Sequence, residues 1–531
     1  MPKSREPCVL AIDLGTSGPK AGVISESGGI LGAGFCSVVT HEVGEAGYEQ
    51  EQEAVWQAVL EACRQALRQS GVTPSDVVAV LCDSYYFTLF PIDCNGRPTM
   101  NAMLWLDKRG AKEQRQKLPG YRSDSWWSLL QWIRLHGIPP LSSGIENVSK
   151  LRWIKQARPE VYERTAYFLE PSDYIAFRLT GRVATNPCTV FAMQTTDTRR
   201  GAYSPQLLRY SGIDPDKFPE ILPNDAVIGT VLPDVAEALG ISTYTKVLGG
   251  VNDTQAGAIG SGAFQGTHAG VMMGSSGGMV AHFHRPKTDV RTGAFTLPAP
   301  WPDVYFLTGE SGTAGRTLEH FLTSLIFADD PFGTLPSGAP YERLEDVVSS
   351  APPGCNGLLF LPWLTGSQIP VVDGDIRAGF LNLTLSTNRA DMSRAVLEGI
   401  VYLYRQTSDI LERAAGRRFS HYRLYGGGAL SRAWSKLIAD MTYTPVHRMA
   451  HPRMVNCVGL GLLAFHRLGL LSRDDMAERV AIAEVVEPDQ QLRSLYEDKN
   501  AAITLAFKQN RSVFRRLNGP QGTQSRTQSH D

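Results

Sequence analysis

The chain has 531 residues, 43% hydrophobic and 20% charged, with 52 Lys and Arg against 53 Asp and Glu and a formal net charge of -1. That length is too great for one core and implies two or three domains. The balanced charge gives no electrostatic reason to expect nucleic acid or an anionic membrane as partner, and no apolar run is long enough to predict a membrane span. Met1–Pro7 carries no apolar targeting segment, and the eight cysteines are scattered without metal spacing. Both observations predict reduced thiols in a cytoplasmic enzyme.

Residues 8–25 read as a strand, a tight turn and a second strand, followed by a strand near 30–39. Apolar residues at helical spacing predict a helix over 52–70, and a buried strand follows at Val77–Cys82. A strand–turn run from Phe87 to Pro98 precedes helices at 126–136, 148–156 and 171–179. A strand at 246–250 enters a small-residue helix at 256–262, and a second hairpin follows at 271–283. The remaining predicted elements are a strand at 304–308, a long helix at 392–415, a strand at 422–425, and helices at 432–441 and 458–468. Hairpin, strand and helix thus recur in outline, which predicts two similar α/β lobes with a cleft between them and a boundary near 255–265. The Ser, Thr, Gln and Arg content of residues 509–531 predicts a disordered tail.

Two glycine-and-hydroxyl turns carry the chemistry: Gly15-Thr16-Ser17-Gly18 and Gly274-Ser275-Ser276-Gly277. Such turns offer backbone N–H groups and small hydroxyls to a phosphate chain, although each alone is equally a plain hairpin turn. Asp13, at the end of the first strand, suits Mg²⁺ ligation or an Asx-type cap. Asp253 stands where a strand enters the glycine-rich helix, as an N-cap or as a proton acceptor for a substrate hydroxyl. Trp105-Leu106-Asp107-Lys108-Arg109 alternates an aromatic ring, a carboxylate and a guanidinium, either a polyol-binding surface or a strand with an ion pair. A third glycine turn, Gly426–Ala429, admits a flat adenine or ribose against the backbone. A dinucleotide site is the competitor, but no GxGxxG opens the first strand–helix unit and no GxxxxGK[ST] loop is present.

These residues together resemble the FGGY carbohydrate kinases of the actin-like ATPase superfamily, from Val9 to about Tyr496. Asp13-Leu14-Gly15-Thr16-Ser17 with Lys20 resembles the first phosphate motif, Trp105-x-Asp107-x-Arg109 the sugar-contact motif, and Gly250-x-x-Asp253 the catalytic-base motif. Gly274–Gly277 is similar to the second phosphate motif, and Gly426–Ala429 with Trp434 and Asp440 to the adenosine motif. Residues 357–367 and Arg394-Ala395-x-x-Glu398-Gly399 resemble further family signatures. The resemblance implies duplicated actin-like, ribonuclease H-like lobes, each a mixed five-stranded sheet flanked by helices, with an N-terminal lobe over 1–258 and a nucleotide-binding lobe over 259–508.

It also implies transfer of the γ-phosphoryl group of ATP to a ketopentose such as xylulose. Ribulose, a fuculose-type ketose, glycerol, erythritol or a quorum signal are alternative acceptors, and a non-catalytic sugar or nucleotide sensor or an actin-like filament protein are rival classes. Asp253 would be the base and Asp13 would hold Mg²⁺. Gly15, Thr16, Ser17, Lys20, Gly274, Ser275, Ser276, Gly277, Gly427, Gly428 and Ala429 would bind ATP. Trp105, Asp107, Arg109, Thr254, Tyr85 and Tyr86 would bind the sugar or polyol. The implied partner is that small molecule, with no nucleic acid or membrane and with a homodimer left open. Two departures stand out. Tyr85-Tyr86-Phe87-Thr88 replaces a Gln-Met-His-Gly stretch common in pentulose kinases, and Val455–Gly461 lacks the usual acidic residue but keeps Gly459 and Gly461 for close approach.

Overall fold

Strand β1 (Cys8–Gly15) is buried from Cys8 to Leu14 on both faces, which makes it a central strand. It pairs antiparallel with β2 (Gly18–Ser25), which pairs antiparallel with β3 (Ile30–Phe35). On its other side β1 is parallel to β4 (Val77–Ser84). Beyond lie the antiparallel edge strand β5 (Val227–Thr230) and, next to β4, the parallel β6 (Lys246–Leu248), while β7 (Val251–Asn252) joins the carboxyl end of β4. The computed structural model describes residues 6–118, 124–274, 276–285, 295–302, 304–310, 312–326 and 344–519.

The second sheet consists of β8 (Ala269–Met273), β9 (Gly277–Phe283), β10 (Phe295–Pro298), β11 (Tyr305–Glu310), β12 (Tyr422–Tyr425), β13 (Val446–Met449) and β14 (Ile482–Val486), in the order β10-β11-β9-β8-β12-β13-β14. Its centre repeats the senses of the first sheet: β8 is antiparallel to β9 and parallel to β12, which is parallel to β13. Among the described residues each sheet therefore has seven strands where five were expected. The additional members are edge strands or two-residue pairings, too short to impose an apolar alternation on the sequence.

Eight helices position the site: α1 (Gln52–Ser70), α2 (Asn147–Ala157), α3 (Pro171–Thr180), α4 (Asp253–Gly260), α5 (Arg389–Ala415), α6 (Arg432–Thr442), α7 (Val455–Arg467) and α8 (Arg493–Asn518). α2 belongs to an insertion between β4 and β5 that has its own apolar cluster, including Leu89, Met103, Leu151, Phe168 and Met193. α4 and α7 lie between the sheets. Ala256 and Ile259, Leu460 and Leu463, Val9 and Leu81 from the first sheet, and Val280 and Phe306 from the second form one contiguous core.

A Cβ on Gly260 would lie 1.8 Å from the Val455 carbonyl oxygen, and one on Gly459 would lie 2.1 Å from that of Ala256. Only glycine lets these two helices touch backbone to backbone. Gly461 packs on the Ile24 side chain, whose Cγ2 a Cβ would meet at 2.5 Å.

The expected tail begins too early at 509. α8 continues to Asn518, because Tyr496, Ile503 and Phe507 are buried on the second lobe's core and Phe514 packs partly against it. Residues 520–531 of that expectation lie outside the described residues. All eight cysteines are free thiols, six of them buried. Among the described residues no helix is long and apolar enough to cross a membrane.

Candidate active site

The parallel register of β1 and β4 sets Asp13 beside Asp83, and β7 pairs Asn252 with Ser84, so that Asp253 begins α4 at the same carboxyl edge. Asn252 caps α4 reciprocally with Gln255 and donates from Nδ2 to the Ser84 carbonyl at 3.3 Å. Asp253 is half-buried and accepts from the Thr254 backbone N–H at 2.7 Å and from the Thr254 hydroxyl at 3.3 Å. Buried Asp13 accepts from Lys20 Nζ at 2.8 Å and, on its other oxygen, from Asn456 Nδ2 of α7 at 3.4 Å.

Asp83 is fully buried, and no side-chain or backbone group among the described residues donates to either of its oxygens. Burial first, then the carboxylates of Asp13 and Asp253, push its pKa well above the usual range, with Lys20 pulling the other way. Among the described residues no set of three or more His, Cys, Asp or Glu side chains forms a metal-holding group. The all-oxygen pair Asp13 and Asp83, with the second carboxylate undonated, fits Mg²⁺, an ion that fills the rest of its shell with water and phosphate oxygens.

The predicted sugar-contact residues divide into two groups. Trp105 donates from Nε1 to the Thr16 hydroxyl at 2.9 Å, tying its segment to the first turn. Tyr85 reaches the same turn through Gln50, which accepts the phenol proton at 3.2 Å and donates to the Thr16 carbonyl at 2.8 Å. Asp107 has no exposed surface, and its carboxylate meets Arg109 Nε and Nη2 and the Tyr48 backbone N–H. Arg109 also pairs with Glu49 at 2.7 Å and lies 4.6 Å over the Trp153 ring. Burial opposes this guanidinium's charge, but Asp107 and Glu49 raise its pKa beyond the usual value.

Tyr86 donates its phenol to the Cys188 carbonyl and packs near Phe87 and Phe191. Phe87 has a φ of 60°, a left-handed conformation strained for a bulky residue. Beneath it, fully buried Lys150 donates to the Phe87 and Leu104 carbonyls, and buried Glu170 accepts from the Asn147 side chain of α2.

In the second lobe, the Gly274 N–H donates to the Ser276 carbonyl at 3.0 Å and the Gly277 N–H to the Gly312 carbonyl at 2.9 Å. A Cβ on Gly277 would lie 2.3 Å from the Tyr404 hydroxyl, so glycine is needed there for α5 to approach. Ser275 lies outside the described residues. The third turn stands at the same sheet edge: Gly426 has a φ of 93°, and a Cβ there would lie 2.5 Å from the Met273 carbonyl oxygen. Gly427 is exposed and faces open space, Gly428 packs on Met273 and Trp434, and Ala429 is buried. The lobes meet here, since a Cβ on Gly257 of α4 would lie 2.6 Å from the Tyr425 hydroxyl and the Asp253 charge raises that phenol's pKa further after burial.

Comparison with known proteins decides the family. Residues 8–260 match the N-terminal domain, and residues 269–468 the C-terminal domain, of the FGGY family of carbohydrate kinases. A xylulose kinase from Staphylococcus xylosus is 30% identical over 441 residues, 82% of this chain and 86% of that protein. The chain belongs to the FGGY family of carbohydrate kinases. Its fold is similar to solved structures of a xylulose kinase and a gluconate kinase from Lactobacillus acidophilus. Both have a TM-score of 0.85 at 22% identity, with 96% and 97% of this chain covered and 100% of theirs. For an FGGY kinase, ATP-dependent phosphoryl transfer to a carbohydrate is the activity that membership supports.

Sequence reasoning missed Asp83, Gln50, Lys150 and Glu170 at this site. A signal existed for Asp83, a carboxylate directly after the apolar run Val77–Cys82. The other three carry no local motif and become visible only through partners distant in the chain.

Proposed function

We propose that this kinase transfers the γ-phosphoryl group of ATP to a hydroxyl of a ketopentose such as xylulose, as a cytoplasmic enzyme with an N-terminal acceptor lobe over 1–258 and a nucleotide lobe over 259–508. One observation carries the reading. The Trp105–Thr16 hydrogen bond fastens the acceptor segment to the first phosphate turn, beside Asp13, Asp83 and Asp253. Gly15, Thr16, Ser17 and Lys20 would receive the phosphates from one side of a cleft and Gly274–Gly277 from the other, with Gly427–Ala429 against the adenosine. Asp13 and Asp83 would hold Mg²⁺, which when bound neutralises phosphate charge.

Trp105, Tyr85, Tyr86 and Thr254 would contact the sugar. Asp107 and Arg109 are spent on each other, and Arg109 is held further by Glu49. Asp253 accepts the proton of the attacking hydroxyl as its oxygen bonds to the γ-phosphorus and the bond to the ADP oxygen breaks. Because phosphoryl transfer needs little covalent help, alignment and exclusion of water do most of the work.

The xylulose assignment draws on the Staphylococcus xylosus relative, and the equal fold similarity to a gluconate kinase puts an aldonate among the competitors. An ADP-release assay over xylulose, ribulose, a fuculose-type ketose, gluconate, glycerol and erythritol tests the reading. The highest kcat/KM is expected for a pentulose. Stimulation by none of these acceptors, with ATP still bound, would replace the kinase reading by a sensor.

A further inference from the structure

Two chain segments that would line the acceptor side, Tyr85–Thr88 and Leu104–Arg109, are fastened together by one side chain that no motif assigns. Lys150 has no exposed surface, and its ammonium donates to the Phe87 carbonyl at 2.5 Å and to the Leu104 carbonyl at 2.6 Å. The carbonyl of the Phe87–Thr88 peptide is thus held by a charge-assisted hydrogen bond from Lys150. This is the peptide that follows the left-handed Phe87, a conformation that persists only where the surroundings impose it. Leu104 immediately precedes Trp105, whose indole holds the Thr16 hydroxyl.

We propose that Lys150 is a positioning residue of the acceptor site: through the Phe87 carbonyl it holds Phe87 in its left-handed form, and by sharing its ammonium with Leu104 it makes the aromatic loop and Trp105 move as one wall. The proposal rests on the reading that these two segments bind the carbohydrate acceptor. A wall held in this way acts first on acceptor alignment and reaches the nucleotide side only indirectly, through Thr16. A displacement of one ångström in a positioned group costs up to about a hundredfold.

The test is Lys150→Met in the full chain, read in two ways. Steady-state kinetics should show acceptor KM raised by between about tenfold and a hundredfold, with a much smaller rise in KM for Mg·ATP. Hydrogen exchange followed by mass spectrometry should show residues 85–88 and 104–109 losing protection together, while the β1–β4 pairing keeps its own. Equal changes in both KM values, or faster exchange in only one segment or in neither, would overturn the proposal.

If Lys150→Met does not accumulate as folded protein, Lys150→Gln, which retains a donor for one carbonyl, is read by the same criteria. Failure of both variants to fold would make Lys150 a purely structural residue and also overturn it. A wild-type enzyme that phosphorylated no acceptor would sink the functional reading alone, since the exchange result decides the coupling of the two segments without turnover.

Discussion

Each lobe buries a set of charges, and the two sets follow different rules. In the second lobe, Glu398 of α5 accepts from Lys499 at 2.6 Å, Arg394 at 3.0 Å, Tyr496 at 3.2 Å and the Gly354 N–H at 3.0 Å. Lys499 places its other protons on the Gly354 and Leu358 carbonyls. Burial pushes Glu398 up, yet Lys499 and Arg394 outweigh it and hold the carboxyl below its usual range.

In the first lobe, burial drives Asp83 and Glu170 far above their usual range and pushes Lys150 down to about 7 against the pull of Asp107, Glu170 and Glu146. Asp83, Glu170, Asn147 and Thr88 each keep a buried oxygen without a hydrogen-bond partner among the described residues. A buried charge with all its bonds filled pins one helix to another. One with bonds unfilled keeps a hydrogen-bonding capacity that a ligand can take up.

The comparison can be broken most directly at Asp253. Asp253→Asn should lower kcat by about 10²–10⁴-fold, with nucleotide affinity by calorimetry and unfolding stability little changed. Near-normal turnover would move the base elsewhere. Lys499→Met is the matching cut in the closed set. It leaves Glu398 and Arg394 buried without their third partner and should cost about 3–5 kcal/mol in denaturant unfolding, with acceptor KM unchanged in the protein that remains folded. A cost below about 1 kcal/mol would mean that this network contributes no more than a surface pair.

A third set, the imidazoles of His268, His421 and His447, stacks at 4.4 and 4.0 Å. Burial, with Arg423 and the neighbouring rings, pushes His268 down to about 3 and His421 down to about 4. The unfolded chain then binds more protons than the native one below its own histidine pKa of about 6.5. This contribution to stability is complete above that value and is lost as pH falls toward the native values. His268→Gln should therefore flatten the fall in melting temperature between about pH 7 and pH 5. An unchanged slope would assign acid sensitivity to carboxylates.

The smallest effect on stability is expected at Asp83. Asp83→Asn removes a like charge and should leave the protein at least as stable, within about 1 kcal/mol, while weakening Mg·ATP binding in titration calorimetry. Marked destabilisation would put Asp83 in the same class as Glu398.

How much of this could be read in advance depends on how local each signal is. Asp13 with Gly15–Ser17, Asn252-Asp253 and the Gly426 turn were readable because strand, turn and cap all lie within a few residues. The span of α8 was not, because a Ser, Thr, Gln and Arg composition masked the apolar stripe that ends at Phe514. Tyr85–Phe87 was readable as a departure from the family pattern. Its consequence, a left-handed Phe87 gripped from below, was not.

By itself the sequence determined two α/β halves, the three glycine turns and the carboxylates that end their strands, because each depends on periodicity and backbone freedom within one short segment. Only the tertiary structure decided that α4 and α7 fill the space between the sheets, that Asn456 reaches Asp13 from 443 residues away, and that Lys150 ties the Phe87 and Leu104 carbonyls together. The physical reason is the same in each case. A buried polar group must find its partner wherever packing places it, and that partner leaves no trace in its own neighbourhood of the chain.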